Sequence, residues 1–166
     1  MSPPACVRRR PALNTDLAAV HALYMHPAVV PFLGYDPMPL TAFAPVYDEL
    51  LHSGEFFVYP VAGQLGGFYR VRRFSGRAQH VAQLCTLAVA PVLHGQGIAR
   101  AMLDECLRLL RAQEVLRVEL TVEADNPRAI AFYSRLGFEH EGTLKKFYKR
   151  AGEAGFIDEQ LMALLF

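Results

Sequence analysis

A single long amphipathic helix, bracketed by two strand-like runs, limits this chain more than any other feature. His80 to Val89 reads as a strand, and Gly97 to Ala112 carries Ile98, Met102, Cys106 and Leu109 on one helical stripe. Leu116 to Val122 then alternates Arg117, Glu119 and Thr121 against Val118, Leu120 and Val122, the period of a half-buried strand. A helix between two strands is a crossover, and a crossover of that length joins parallel neighbours. The class is therefore α/β, with a mixed sheet.

The rest of the chain supplies further strands and helices around that unit. Cys6 to Arg10 is a short candidate strand ending at Pro11. The N-cap residues Asn14, Thr15 and Asp16 introduce a helix bearing Leu17, Val20, Leu23 and Tyr24, closed by His26 and Pro27. A stretch rich in Pro and aromatics follows, and a second helix runs from Thr41 to about His52. Phe56 to Val61 and Gly66 to Arg73 read as strands joined by Ala62-Gly63-Gln64. Asp125-Asn126-Pro127 opens another helix, Gly137 ends it, and Phe138 to Phe147 and Phe156 to Leu164 close the chain as a strand pair. The 166 residues contain no repeat or linker, so residues 1–166 are expected to form one domain.

Composition excludes several classes of function. Seventeen Lys and Arg balance sixteen Asp and Glu, which argues against a nucleic-acid or anionic-membrane partner. No stretch approaches the ~20 apolar residues that span a bilayer, and no signal-peptide core follows Arg8-Arg9-Arg10. The three cysteines, Cys6, Cys85 and Cys106, suit neither a disulfide framework nor a zinc site, so a cytoplasmic protein without a metal is expected. Cys106 falls on the helix stripe and Cys85 lies mid-strand, and both are read as packing residues rather than nucleophiles.

Ligands of open sheets lie beyond the carboxyl ends of parallel strands. Here that place is the run from Ala90 to Arg100, with Gly95 and Gly97 immediately before the long helix. Two such glycines let backbone N–H groups converge on one point, to which the helix dipole adds its positive end and Arg100 a formal charge. A phosphate or pyrophosphate cradle is one reading and a plain tight turn the other. Neither the dinucleotide glycine pattern nor a Walker A loop is present. Asn126 and Tyr133 stand seven residues apart on the next helix, about 20° apart in azimuth and about 10.5 Å along the axis, with Ala129 between them. That spacing suits an extended ligand arm whose reactive end lies near the phenol, or a core aromatic at Tyr133.

Leu84-Cys85-Thr86-Leu87-Ala88-Val89, Pro91, His94 to Ala99, and then Asn126, Ala129, Tyr133 and Leu136-Gly137-Phe138 together resemble the GNAT (Gcn5-related) N-acetyltransferase superfamily. The resemblance is strong from about His80 to Phe166 and looks closest to small bacterial L-amino acid and ribosomal-protein-type N-acetyltransferases. It implies a single α/β domain with a mixed six- to seven-stranded twisted sheet flanked by about four helices. It also implies acetyl-CoA as cosubstrate and a small-molecule amine as acceptor, with direct attack in a ternary complex. Leu87, Ala88, Val89, His94, Gly95, Gln96, Gly97, Ile98, Ala99, Arg100, Asn126, Ala129 and Tyr133 would then bind the cofactor. The Val89 N–H would stabilise the oxyanion, and Tyr133 would protonate the leaving thiolate. His94 departs from the Gln or Arg usual at its position.

Phe32, Tyr35, Leu84 and Thr121 are candidates for the acceptor pocket. The general base is left open among Glu119, Glu123, His80 and water. Glu119 and Glu123 share the face of Thr121, while His80 shares that of Ala82, Leu84 and Thr86. An α-amine, pKa about 7.7–8.0, needs less help from a base than a lysine-like amine. An L-amino acid or related amine is therefore expected, with a protein N-terminus as the alternative and a non-catalytic CoA-binding module as a third reading. The closing strands are expected to be exposed, which would allow a homodimer.

Overall fold

Seven strands form one sheet in the computed structural model: β1 (Arg10–Pro11), β2 (Phe56–Val61), β3 (Gln64–Arg73), β4 (Val81–Val89), β5 (Arg117–Glu123), β6 (Glu139–Tyr148) and β7 (Ile157–Leu165). Their order is β1-β2-β3-β4-β5-β7-β6. Residues 8–166 are described, so much of the expected Cys6–Arg10 strand, with Cys6 itself, lies outside the described residues. Four helices flank the sheet: α1 (Leu17–Tyr24), α2 (Leu40–His52), α3 (Ile98–Ala112) and α4 (Pro127–Arg135). Among the described residues only β4 and β5 pair in parallel, joined by α3 as the crossover arithmetic requires.

Each face of the sheet has its own core. On one side α3 buries Ile98, Met102, Leu103, Cys106 and Leu110 against Leu84, Val89, Val118, Leu120 and Val122. Leu110 rather than Leu109 completes this stripe, because the buried Met102, Leu103 and Cys106 centre the face roughly 90° round the helix from Ile98, nearer to Leu110 at about 120° than to Leu109 at about 20°. On the other side α1 and α2 bury Val20, Tyr24, Phe43 and Tyr47 over Phe56, Val58 and Phe68. Tyr24 stacks on Phe68 and meets Phe43 at 5.2 Å between ring centres, so most of these aromatics are core. The cap cluster Asn14–Asp16 forms a 3-10 turn instead of a side-chain cap, with Asp16 accepting from the Leu13 N–H at 2.8 Å. β6 is a free sheet edge that exposes Leu144 and Phe147.

Close packing of β3 against β4 and α3 depends on Gly67. A Cβ there would stand 2.6 Å from the Ala88 carbonyl oxygen and 2.9 Å from Met102 Sδ. Gly67→Ala should therefore destabilise the fold by about 1–3 kcal/mol. Gly142→Ala, whose Cβ would meet nothing within 4 Å, should not. Thermal unfolding of the two variants side by side checks the difference.

Candidate active site

β4 and β5 pair from Val81↔Arg117 to Leu84↔Leu120 and then part. The cause lies within β4. Cys85 is bulged out, because Val71 pairs with Leu84 while Arg70 pairs with Thr86. The bulge corrects two expectations. Thr86 lies on the opposite face from Leu84 rather than sharing it, and Cys85 is exposed rather than packed. Cys106 is buried as expected.

Beyond the bulge, β4 offers backbone that no strand covers. Ala90 donates to the Gly66 carbonyl at 2.9 Å, so Gly66/Ala90 is a bonded pair of the antiparallel ladder. By alternation Phe68/Ala88 is bonded, while Gly67/Val89 and Tyr69/Leu87 are not. The N–H and C=O groups of Leu87 and Val89 therefore turn away from β3 towards the side where β5 has parted.

A cavity of about 610 Å³ opens in this gap. Leu87, Ala88, Val89, His94, Gly95, Gly97, Ile98, Ala99, Arg100, Asn126, Ala129 and Tyr133 line it, as do Phe32, Leu84 and Thr121. Two of the expected residues stand apart from it. Gln96 turns back to donate to the Val92 carbonyl at 3.1 Å, and Tyr35 packs edge-on against Tyr24 at 6.0 Å.

Gly95 and Gly97 both adopt φ of +78°, and nothing lies within 4 Å of where their Cβ atoms would be. Gly97 is also the residue that leads into α3. Open space before bare amides at a helix N-terminus fits a diphosphate. Arg100 lines the cavity while pairing with Asp104 at 2.8 Å. Asn126 spends its side-chain oxygen on capping α4, accepting from the Ala129 N–H at 3.1 Å.

His94 does not aim a charge at the loop. Its Nε2 donates to the Val89 carbonyl at 2.9 Å, and its Nδ1 lies 3.4 Å from the Arg128 guanidinium. A carbonyl only accepts and a guanidinium only donates, so this arrangement needs the neutral Nε2–H imidazole. His94 thus ties the glycine loop to the end of β4.

Among the base candidates only Glu123 lines the cavity. Glu119 is held by Arg117 at 3.0 Å, outside it, and neither Glu119 nor His80 reaches it. Burial pushes the Glu123 carboxyl up to about 7 against the opposing pull of Arg150, whose guanidinium reaches Glu123 and, at 2.7 Å, Asp125. Burial also raises the Tyr133 phenol above its ordinary value. Tyr133 stands among Phe132 and Phe138 at 5.3 and 5.7 Å between ring centres.

Glu159 and Tyr148 also line the cavity and were not singled out from the sequence. A signal for Glu159 existed. It is an acid on the Ile157–Leu161–Ala163 face of an alternating strand, where an apolar residue belongs. Among the described residues no group of three or more His, Cys, Asp and Glu is placed to hold a metal ion, and no helix is long and apolar enough to cross a membrane.

Residues 17–138 match the profile of the Acetyltransferase (GNAT) family, so the likeness reaches well before His80, where the resemblance in motifs becomes strong. The chain is 31% identical over 122 residues to N-alpha-acetyltransferase RimI of Mycobacterium tuberculosis, covering 73% of each. It is 39% identical over 88 residues to the L-amino acid N-acetyltransferase AaaT of Escherichia coli, 52% of each. The crystal structure of ribosomal-protein-alanine N-acetyltransferase from Brucella melitensis superposes with a TM-score of 0.77 at 25% identity, covering 96% of this chain and 100% of that one.

Proposed function

This chain belongs to the acetyltransferase (GNAT) family, and from that premise we propose that it moves an acetyl group from acetyl-CoA to the α-amine of an amino acid or related small amine. The observation that carries the reading is the parting of β4 and β5 after Leu84, beside the glycine loop at the head of α3. Membership in an acetyltransferase family sets aside the binding-module reading.

Acetyl-CoA brings an activated thioester, and the chain supplies everything else. The N–H groups of Gly95, Gly97 and the first turn of α3 would hold the diphosphate, the Gln96 N–H being spent on the Leu93 carbonyl. Leu87 would pair with the amide-bearing arm as an added strand does, and the Val89 N–H, whose carbonyl is held by His94, would donate to the thioester oxygen as it gains charge. Glu123 takes one proton from the incoming ammonium. The free amine then forms the new C–N bond as the C–S bond breaks, and Tyr133 donates to the departing sulfur. The second amine proton leaves in turn, restoring the phenol.

A base with a pKa of about 7 must be ionised to act, so kcat/KM should rise with pH through about 7. Glu123→Gln should remove that limb and lower kcat/KM by about 10², the low end for acid–base catalysis, because an α-amine is already partly deprotonated. A thiol-release screen with acetyl-CoA against amino acids, their amides, polyamines, aminoglycosides and short peptides tests the whole reading. Release of coenzyme A with α-amines supports it, and no release with any amine overturns it. A protein N-terminus is the second reading, favoured by the fuller span of the RimI match, and preferential turnover of peptides in that screen would select it.

A further inference from the structure

Glu123 and Glu159 stand directly opposite each other, one on β5 and one on β7, in the antiparallel register. Both line the cavity and both are buried, Glu159 to 2% exposure. Their counter-ions are unequal. Arg150 reaches Glu123, but it also binds Asp125 at 2.7 Å and the Pro31 carbonyl at 3.0 Å, and it approaches Glu153. No ion pair reaches Glu159, and its Oε2 is buried without a hydrogen-bond partner among the described residues. A carboxylate oxygen buried without a donor, on a residue of the cavity wall, is a place where a ligand N–H can complete the hydrogen bonding.

We propose that Glu159 receives the acceptor's ammonium group, and that the acceptor is an amine whose neighbouring carboxyl group is absent or capped as an amide. The inference rests on the acetyl-transfer reading and narrows its acceptor from α-amines in general to those without a free carboxylate, which sets aside the free amino acid. An ammonium bound at Glu159 has Glu123 directly across the strand pair, in place to accept its proton. Thr121, two residues before Glu123 on the same face, leads back to the gap where Val89 presents its N–H.

The charges around the pair exclude a free α-carboxylate. Around Glu159 stand Glu123 and the Thr121 hydroxyl from β5 and Tyr148 from β6, with Asp125 and the already engaged Arg150 beyond Glu123. The cationic side chains on the cavity wall, Arg100, Arg128 and Arg135, belong to helices α3 and α4. A carboxylate two bonds from the amine would therefore sit beside two others with no uncommitted cation next to it, and like charges so placed repel.

Calorimetric titration of L-alaninamide, L-alanine and propionamide into the coenzyme A-loaded protein tests this. Wild type should bind alaninamide at least tenfold more tightly than alanine, and should bind propionamide, which lacks the amine, least. Glu159→Gln should weaken alaninamide at least tenfold while leaving coenzyme A affinity within twofold. Glu119→Gln, outside the cavity, should leave both unchanged.

Equal alaninamide affinity in wild type and Glu159→Gln, or no alaninamide binding by wild type, overturns Glu159 as the receptor. Alanine binding as tightly as alaninamide overturns the exclusion of a free carboxylate. Should Glu159→Gln fail to fold, wild-type preference for alaninamide over propionamide still decides, and equal binding of the two overturns the proposal. Intact binding results without any release of coenzyme A would count against the acetyl-transfer reading instead.

Discussion

Gly97→Glu should abolish coenzyme A binding while leaving a folded protein. Gly97 has φ of +78° and ψ of 6°, a left-handed conformation that costs a side chain roughly 1–2 kcal/mol. Part of that cost is offset, because an acid at a helix N-terminus gains ~0.3–1 kcal/mol from the dipole. The new side chain would meet nothing within 4 Å of its Cβ and would extend into the open space before α3. A carboxylate there occupies the ground on which the diphosphate is expected, in repulsion with it and competing for the same N–H groups. The loss should exceed 100-fold in Kd. Gly97→Ala carries the same backbone strain without the charge and should weaken binding far less. Calorimetry on both variants, with thermal unfolding alongside, separates charge from strain. Binding by Gly97→Glu within threefold of wild type would move the cradle elsewhere.

The crossover was legible because its evidence is local. Ile98, Met102 and Cys106 repeat at helical spacing, Val118, Leu120 and Val122 alternate, and chain length alone then forces parallel neighbours. The glycine loop was legible for the same reason, since Gly95, Gly97 and the helix that follows are contiguous. Cys85 was not legible as a bulge. A bulge is a mismatch between two strands, and within β4 alone the alternation of Ala82, Leu84 and Thr86 runs on unbroken. The last residue of β4 paired with β5 is Leu84, immediately before Cys85, so the feature that opens the cavity was invisible to any single-strand reading. Glu159 was missed on similar grounds. It lies 36 residues beyond Glu123, and only the order β5-β7-β6, with the last strand inserted inside the hairpin edge, brings the two carboxylates face to face. His94 could be read as a departure from a pattern, but its bond to the Val89 carbonyl depends on a turn that sequence does not specify.

Tyr133→Phe should lower kcat by about 10²–10⁴ with the acetyl-CoA Kd unchanged. The removed group is one hydroxyl among the rings of Phe132 and Phe138, so the packing of α4 survives the change. Burial holds the phenol above its ordinary value of about 10, so it is protonated at any working pH. That same shift sets how it can act. A thiol near 8.5 is a stronger acid than this phenol, and at 1.36 kcal/mol per unit a completed transfer to sulfur is uphill by about 2 kcal/mol or more. Tyr133 therefore serves as a hydrogen-bond donor that strengthens as charge builds on sulfur, and it surrenders its proton only as the second amine proton comes free. The sign of the pH dependence follows. An acid with a raised pKa stays competent until that value is passed, so kcat should show no descending limb below about pH 10. A wild-type profile that falls between pH 8 and 9 would contradict the assignment, as would a Tyr133→Phe kcat within threefold of wild type.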